Sequence, residues 1–269
     1  LLVLRGRLPS GGPGPFLFPV PLFFVVHTFL PDPARPRPLV RDGITILGVQ
    51  LNGPVHRDIP AAYYSPTGPA GDVVRMQSAR FTGGRVGIVG LGSGALSCFA
   101  TSRPHWTYFE LDPIVERIAR DPRLFTYLRD CPGGGTNVVI GDGRLSLAAD
   151  EGPKFNMLVV DAFGSDAVPT HLLTREAIEL YLSRLAPGGL LLFNISNKYL
   201  DLSSVITAEA SSLNLSALER VEPAVSATDA ANGAFPSDWL VRAPSQATIA
   251  GLTVSGSWVH PKRNPGQRV

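Results

Sequence analysis

The sequence predicts an α/β chain, a doubly wound and mostly parallel sheet with helices on both faces, behind a small β-rich N-terminal region. Three observations carry this. From residue 86 onward, short apolar strand-like runs alternate with helical patterns. Four of the first runs end in glycine or a carboxylate, at Gly90, Glu110, Asp142 and Asp161. Asp112–Pro113 and Asp121–Pro122 both pair an N-cap with a proline at the first helical position, which marks helix starts between the runs.

In order, "LFFVVHTFL", a proline-rich turn and "LVRDGITILGVQL" read as strands. "PTGPAGDVV" reads as a loop leading into the core. "RVGIVGLG" is a strand running into glycines, and "ALSCFAT" opens a helix. "WTYFELD" is a strand, "IVERIAR" a helix and "RLFTYLRD" another. "TNVVIGD", "GRLSLAA" and "KFNMLVVD" continue as strand, helix, strand. Thr174 caps "REAIELYLSRLA", whose Ala177, Ile178, Leu180, Tyr181 and Leu185 fall on one helical stripe until "PGG" stops it. "LLLFNIS" is a buried strand, "DLSSVITAEASSLNL" a helix and "DWLVRA" a late strand. The expected organisation is residues 1–21 poorly ordered or the remnant of an upstream region, 22–75 β-rich, 76–255 the α/β unit and 256–269 a tail.

Composition narrows the class. The 269 residues are 44% hydrophobic and 17% charged, which is too apolar for disorder. A net charge of +2 with scattered arginines forms no nucleic-acid stripe. The two cysteines, Cys98 and Cys131, make no CxxC pair, so reduced thiols in a cytoplasmic protein are expected. The five histidines show no metal-ligand spacing, and no metal is expected. "PFLFPVPLFFVVHTFL" has 16 residues with three prolines, short of the roughly 20 that span a bilayer. The first residue is Leu rather than Met, which keeps open an upstream region that would associate the chain with a membrane.

The strand ends carry the chemistry. Gly90, Gly92 and Gly94, with Ser93 between, would let backbone approach a ligand. The spacing GxGxG is neither the dinucleotide fingerprint, whose third glycine comes one residue later, nor a P-loop. Glu110 follows Gly90 by 20 residues, the distance at which an acid meets ribose hydroxyls. Asp112 fits a helix cap. Asp142, followed by Gly143, fits either an acceptor for an exocyclic amine or a turn carboxylate, and both readings stay open. Asp161 ends an apolar run, where a charge is costly unless something uses it; it fits a general base or a turn cap. His171 fits a surface role, and Trp106 and Trp239 fit the core.

"VGIVGLGSGALSCFA", "WTYFELDPIVERIARDPRLF", "VVIGDGRLSLA", "MLVVDAFGSDAVPTHLLTREAIELYLSRLAPGGLLLFNISNKYLDL" and "PSDWLV" resemble the spermidine synthase-like branch of the class I S-adenosylmethionine-dependent methyltransferase fold, a Rossmann-like architecture. More closely, they resemble bacterial proteins in which such a domain stands alone or behind a transporter-like membrane region. The resemblance runs from about residue 22 to 245. It implies a nucleoside donor held by Gly90, Gly92, Ser93, Gly94, Glu110, Asp142, Gly143 and Gln50. It also implies Asp161 as the base that deprotonates an attacking amine, Tyr63, Tyr64 and Asp166 near the acceptor, and a homodimer. The implied activity moves an aminopropyl group from decarboxylated S-adenosylmethionine to an amine such as putrescine.

The sequence departs from that pattern in four places. Ser93 stands where the glycine loop GGGDG carries an acid that helps select the decarboxylated donor. Asp166 follows Asp161 by five residues, where the family's DxxD pair is spaced by three. Asn194 replaces a common Gln at the end of the fifth strand, and the usual Tyr-His-Glu is absent around Tyr64. A methyltransferase using S-adenosylmethionine on another acceptor, and a nucleoside-binding domain without catalysis, are therefore the alternatives.

Overall fold

The computed structural model describes residues 27–29, 39–42, 45–51, 57–77, 83–100, 105–131, 136–162, 169–197, 201–210 and 213–261. Residues 1–21, the strand-like residues 22–26, Asp166 and the end of the basic tail lie outside them. Strands β1 (His27–Phe29), β2 (Leu39–Asp42) and β3 (Thr45–Val49) form an antiparallel three-stranded sheet. Helix α1 (Pro69–Gln77) follows, in the stretch expected to be a loop. Its proline sits at the first position, where a missing N–H costs nothing.

The main sheet has seven strands in the order β6-β5-β4-β7-β8-β10-β9. These are β4 (Arg85–Val89), β5 (His105–Glu110), β6 (Asn137–Ile140), β7 (Phe155–Val160), β8 (Leu185–Asn194), β9 (Ser216–Glu222) and β10 (Ser237–Ala243). Strands β6, β5, β4, β7 and β8 pair in parallel, and β10 joins β8 and β9 antiparallel. Between them lie α2 (Pro113–Arg120), α3 (Tyr127–Asp130), α4 (Gly143–Ala149), α5 (Arg175–Arg184), α6 (Leu202–Ala210) and α7 (Ala227–Ala231), and α8 (Gln246–Ile249) follows β10.

Alternation along each strand builds two cores, because successive side chains point to opposite faces. Val86 and Ile88, Trp106 and Tyr108, Met157 and Val159, and Leu190 and Leu192 pack on one face with α2. Phe109, Leu158, Val160, Leu191 and Phe193 pack on the other with α5 and α6. Both faces are covered, as a parallel sheet requires. Trp106 and Trp239 are buried in the first core, as expected.

Three expectations are corrected. Only the second half of "RLFTYLRD", Tyr127–Asp130, is helical; Arg123 N donates to the Asp121 side chain at 3.0 Å, and that bond holds a turn before it. "PGG" does not separate helix from strand; α5 runs directly into β8, with Gly188 at φ 74 inside the junction. Cys98 and Cys131 are not free thiols but a disulfide, with Cα atoms 4.7 Å apart. Among the described residues no helix is long and apolar enough to cross a membrane.

Candidate active site

The strand order reverses at β4, between β5 on one side and β7 on the other, and such switch points open a crevice at the carboxyl ends. Backbone bonds stitch the rim there. Asp161 N donates to Val89 O at 2.9 Å, Gly90 N to Phe109 O at 2.9 Å, and Gly141 N to Glu110 O at 2.8 Å. The ends of β7, β4, β5 and β6 are thus adjacent, and three strand spacings cover roughly 14 Å. The four strand ends singled out in the sequence share this rim.

The glycine loop needs its glycines for backbone shape. Gly90 has φ 101, Gly92 φ 54 and Gly94 φ 79, in the region closed to most side chains. A Cβ on Gly90 would also lie 2.3 Å from the Asp161 carbonyl oxygen. Ser93 is 1% exposed, and its hydroxyl has no partner among the described residues. It packs on Gly48 of β3, where an added Cβ would lie 2.3 Å from Ser93 Cβ.

Glu110 ends β5 under this loop. Its Oε2 accepts from Leu91 N and its Oε1 from Asp112 N, both at 2.9 Å. Burial raises its pKa above the usual carboxylate value, and the two backbone donors oppose that. Asp112 caps α2 as expected, accepting from Ile114 N at 2.8 Å. Asp142 caps α4 through Oδ1, which accepts from Leu145 N at 2.9 Å, while Oδ2 faces His171 Nε2 at 3.4 Å. Gly143 opens that helix against Val89, with no room for a Cβ, which would sit 2.6 Å from Val89 Cγ1. Leu111 and Leu145, exposed and apolar, flank these two acids.

Asp161 stands at the end of β7. Tyr64 Oη donates to its Oδ2 at 2.6 Å, and Asn194 Nδ2 donates to its Oδ1 at 2.8 Å. Asn194, at the end of β8 and 5% exposed, is fixed in turn because its Oδ1 accepts from Ser196 N at 3.0 Å. Tyr64 is placed by a kink at Ala62, whose φ is 57. Ala62 N donates to Gly233 O at 2.8 Å and Phe235 N donates to Ala62 O at 3.1 Å, pinning the segment to the loop before β10. Tyr63 packs edge-on against Tyr64 and Phe235, and Trp239 packs against Tyr64.

Burial pushes the Asp161 carboxyl up to about 7, and the Tyr64 and Asn194 bonds pull the other way. The residue keeps some accessible surface, yet protein surrounds the carboxyl closely enough for desolvation to dominate. Tyr64 is raised well above its ordinary value, first by burial and then by Asp161, so its hydroxyl keeps its proton and donates.

Gln50 is 3% exposed and occupied by protein. Its Nε2 donates to Arg57 O at 2.7 Å and to Thr126 Oγ1 at 3.0 Å, and its Oε1 accepts from Thr126 N at 2.8 Å. Asn194 and His171 join the rim without having been singled out as site residues. The signal for Asn194 was available: like Asp161 it is a polar residue ending a buried apolar strand. A cavity of about 610 Å³ lies at the opposite end of the sheet, around the first residues of β4 and β5. Its Arg85 is already bonded to Asp150 at 2.9 Å.

The fold and the rim define a class: a class I methyltransferase fold with a β-rich N-terminal sheet and an acid-and-glycine crevice at the switch point. No protein-family model matches the chain. A stretch of 115 residues, 41% of the chain, is 35% identical to a polyamine aminopropyltransferase of Vibrio vulnificus (strain CMCP6), of which it covers 37%. The match therefore spans little more than a third of that relative. A probable spermidine synthase from Corynebacterium glutamicum superposes with a TM-score of 0.60 at 14% identity, over 97% of this chain and 99% of that one. Spermidine synthase from Thermotoga maritima gives 0.56 at 13%, over 89% and 77%. The resemblance to the spermidine synthase-like family is borne out, and so is the fold.

Proposed function

We propose that the chain transfers an aminopropyl group from decarboxylated S-adenosylmethionine to a small amine such as putrescine. The observation that carries this is Asp161, a carboxyl held by Tyr64 and Asn194 at the switch point beside the glycine loop. A base works best when its pKa lies near the working pH, and Asp161 is raised to about 7. The relative from Vibrio vulnificus carries the matching name, and a spermidine synthase in complex with the transition state analogue AdoDATO shares the fold, with a TM-score of 0.56.

In this reading Gly90, Gly92 and Gly94 approach the donor, Glu110 accepts from its ribose, and Asp142 Oδ2, which faces His171, accepts from its adenine amine. Exposed Leu111 and Leu145 offer apolar contact to the ring. Gln50 works indirectly, bracing Thr126. Tyr63, Tyr64 and Asp166 orient the cationic acceptor. An amine near pKa 10 is mostly protonated at neutral pH, so Asp161 takes its proton. The nitrogen lone pair attacks the donor's methylene carbon, the carbon–sulfur bond breaks, and its electron pair leaves with a neutral thioether. The sulfonium is already activated; the protein supplies alignment and the base.

Methyl transfer is the second reading, favoured by Ser93. Its neutral hydroxyl, without a partner among the described residues, occupies the position of the family's donor-selecting acid. Mass spectrometry of products from both donors with a di- and polyamine panel separates the readings. Aminopropylated amine is the expected product; methylated acceptor alone, or none with any amine, overturns the proposal. A cytoplasmic homodimer belongs to the same reading, with light scattering as its check on assembly.

Two variants test the environment of the base. Tyr64→Phe and Asn194→Ala each remove a donor that lowers the Asp161 pKa. The acid limb of the pH–rate profile is expected to move to higher pH in both, by about one unit for a lost charged hydrogen bond. A limb that stays in place or moves down contradicts the assignment.

A further inference from the structure

We propose that the Cys98–Cys131 disulfide sets donor affinity by locking α3 against the glycine loop, so that thiol–disulfide exchange regulates the site. This rests on the reading of that loop as the donor cradle. Cys98 lies in the 3-10 turn Ala95–Phe99 that begins directly after Gly94, and Cys131 closes α3, donating its N–H to Tyr127 O at 3.1 Å. The same helix touches the loop a second time, since a Cβ on Gly94 would lie 2.6 Å from Leu128 Cδ2.

The other end of α3 is tied to the N-terminal region. Thr126 exchanges hydrogen bonds with Gln50, and Tyr127 Oη donates to Val49 O at 3.0 Å and Ile59 O at 3.2 Å. Helix α3 therefore bridges the β-rich sheet and the loop, and the disulfide is the covalent part of that bridge. With it opened, the turn after Gly94 keeps Leu128 packing, the burial of Ala95 and Leu96, and the Tyr108 hydroxyl bonded to Ser97 Oγ at 3.0 Å and Gly94 O at 3.4 Å, none of which is covalent.

Access is asymmetric. Cys98 is partly exposed while Cys131 is buried, so an incoming thiolate meets the Cys98 sulfur first. A small thiol attacks there, forms a mixed disulfide and releases the Cys131 thiolate, which takes up a proton. A second thiol resolves the mixed disulfide. Two thiols become one external disulfide, and the protein bond becomes two thiols. A low-molecular-weight disulfide such as oxidised glutathione reverses the sequence. An exchangeable bond is also the kind that a reducing compartment tolerates.

The test uses the whole chain and calorimetry with S-adenosylmethionine and with the thioether 5′-methylthioadenosine. Reduction is expected to weaken nucleoside binding by about fivefold or more, within the usual range of site coupling. Oxidised glutathione is expected to restore it. The Cys98→Ser/Cys131→Ser double variant should bind like reduced protein and ignore reductant. In turnover assays the donor KM should rise while the amine KM stays, a split that general loosening would not produce. Equal affinity in both states, or thiols that still alkylate after oxidation, overturns the lock and leaves the donor reading standing. If neither state binds either nucleoside, the donor reading falls and takes this inference with it.

Discussion

Asp161→Asn is expected to lower turnover by about 10²- to 10⁴-fold, the range for loss of a general base, while nucleoside binding by calorimetry stays within about twofold because the loop and Glu110 hold the donor. In the wild type, activity should rise with pH through an acid limb near 7, where Asp161 loses its proton. The variant should lack that limb. Turnover near wild type with the right amine would remove Asp161 from the chemistry.

The same residue makes a stability prediction of definite sign. Its folded pKa, about 7, lies above the ordinary value. Below about pH 3.9 both folded and unfolded chains carry the proton, and the stabilisation from keeping the group neutral is fully present. As pH rises toward 7 the unfolded chain gives up its proton while the folded chain keeps it, so stability falls. Asp161→Asn removes this liability. The variant should melt higher than wild type at pH 8, and the difference should shrink toward acid. Scanning calorimetry across pH reads it, and an acid at a working site that costs stability is the usual trade.

Gly90→Ala is expected to damage fold and chemistry together. Its φ of 101 is strained for any side chain, and the new Cβ would lie 2.3 Å from the Asp161 carbonyl oxygen. Strain of this kind costs roughly 1–3 kcal/mol, and the clash adds displacement of the base itself. A fall of several degrees in melting temperature should accompany near-complete loss of turnover. Gly188→Ala is the control. It has φ 74 with no atom within 4 Å of the added Cβ, so it should cost stability alone. Two variants with equal activity would show that the contact between Gly90 and Asp161 does not matter.

Much of the sheet was legible because a buried parallel strand must be apolar on both faces. β4, β5, β7 and β8 announce themselves that way, and Asp112 announces α2 by its cap. β9 does not. It is an edge strand with Glu219, Arg220 and Glu222 within it, and its pattern is that of a solvated surface. The first turns of α1 looked like a loop because proline and glycine at a helix entrance resemble any other turn. Gln50 was reached only through the family resemblance, and its partner Thr126 lies 76 residues away.

The sequence by itself determined which positions could carry chemistry: the glycines at 90, 92 and 94 and the acids at 110, 142 and 161. A charge or a bare backbone at the end of an apolar run has a physical meaning that needs no partner to be read. Only the tertiary structure decided how those positions are used. The order of strands put Asp161 next to Gly90. Pairing across 97 residues brought Tyr64 to the base, and pairing across 33 made Asn194 its second donor. Packing of α3 turned two expected thiols into a bond. Spacing along a chain fixes which side chains share a face; which chain segments become neighbours depends on how all the buried faces are covered at once.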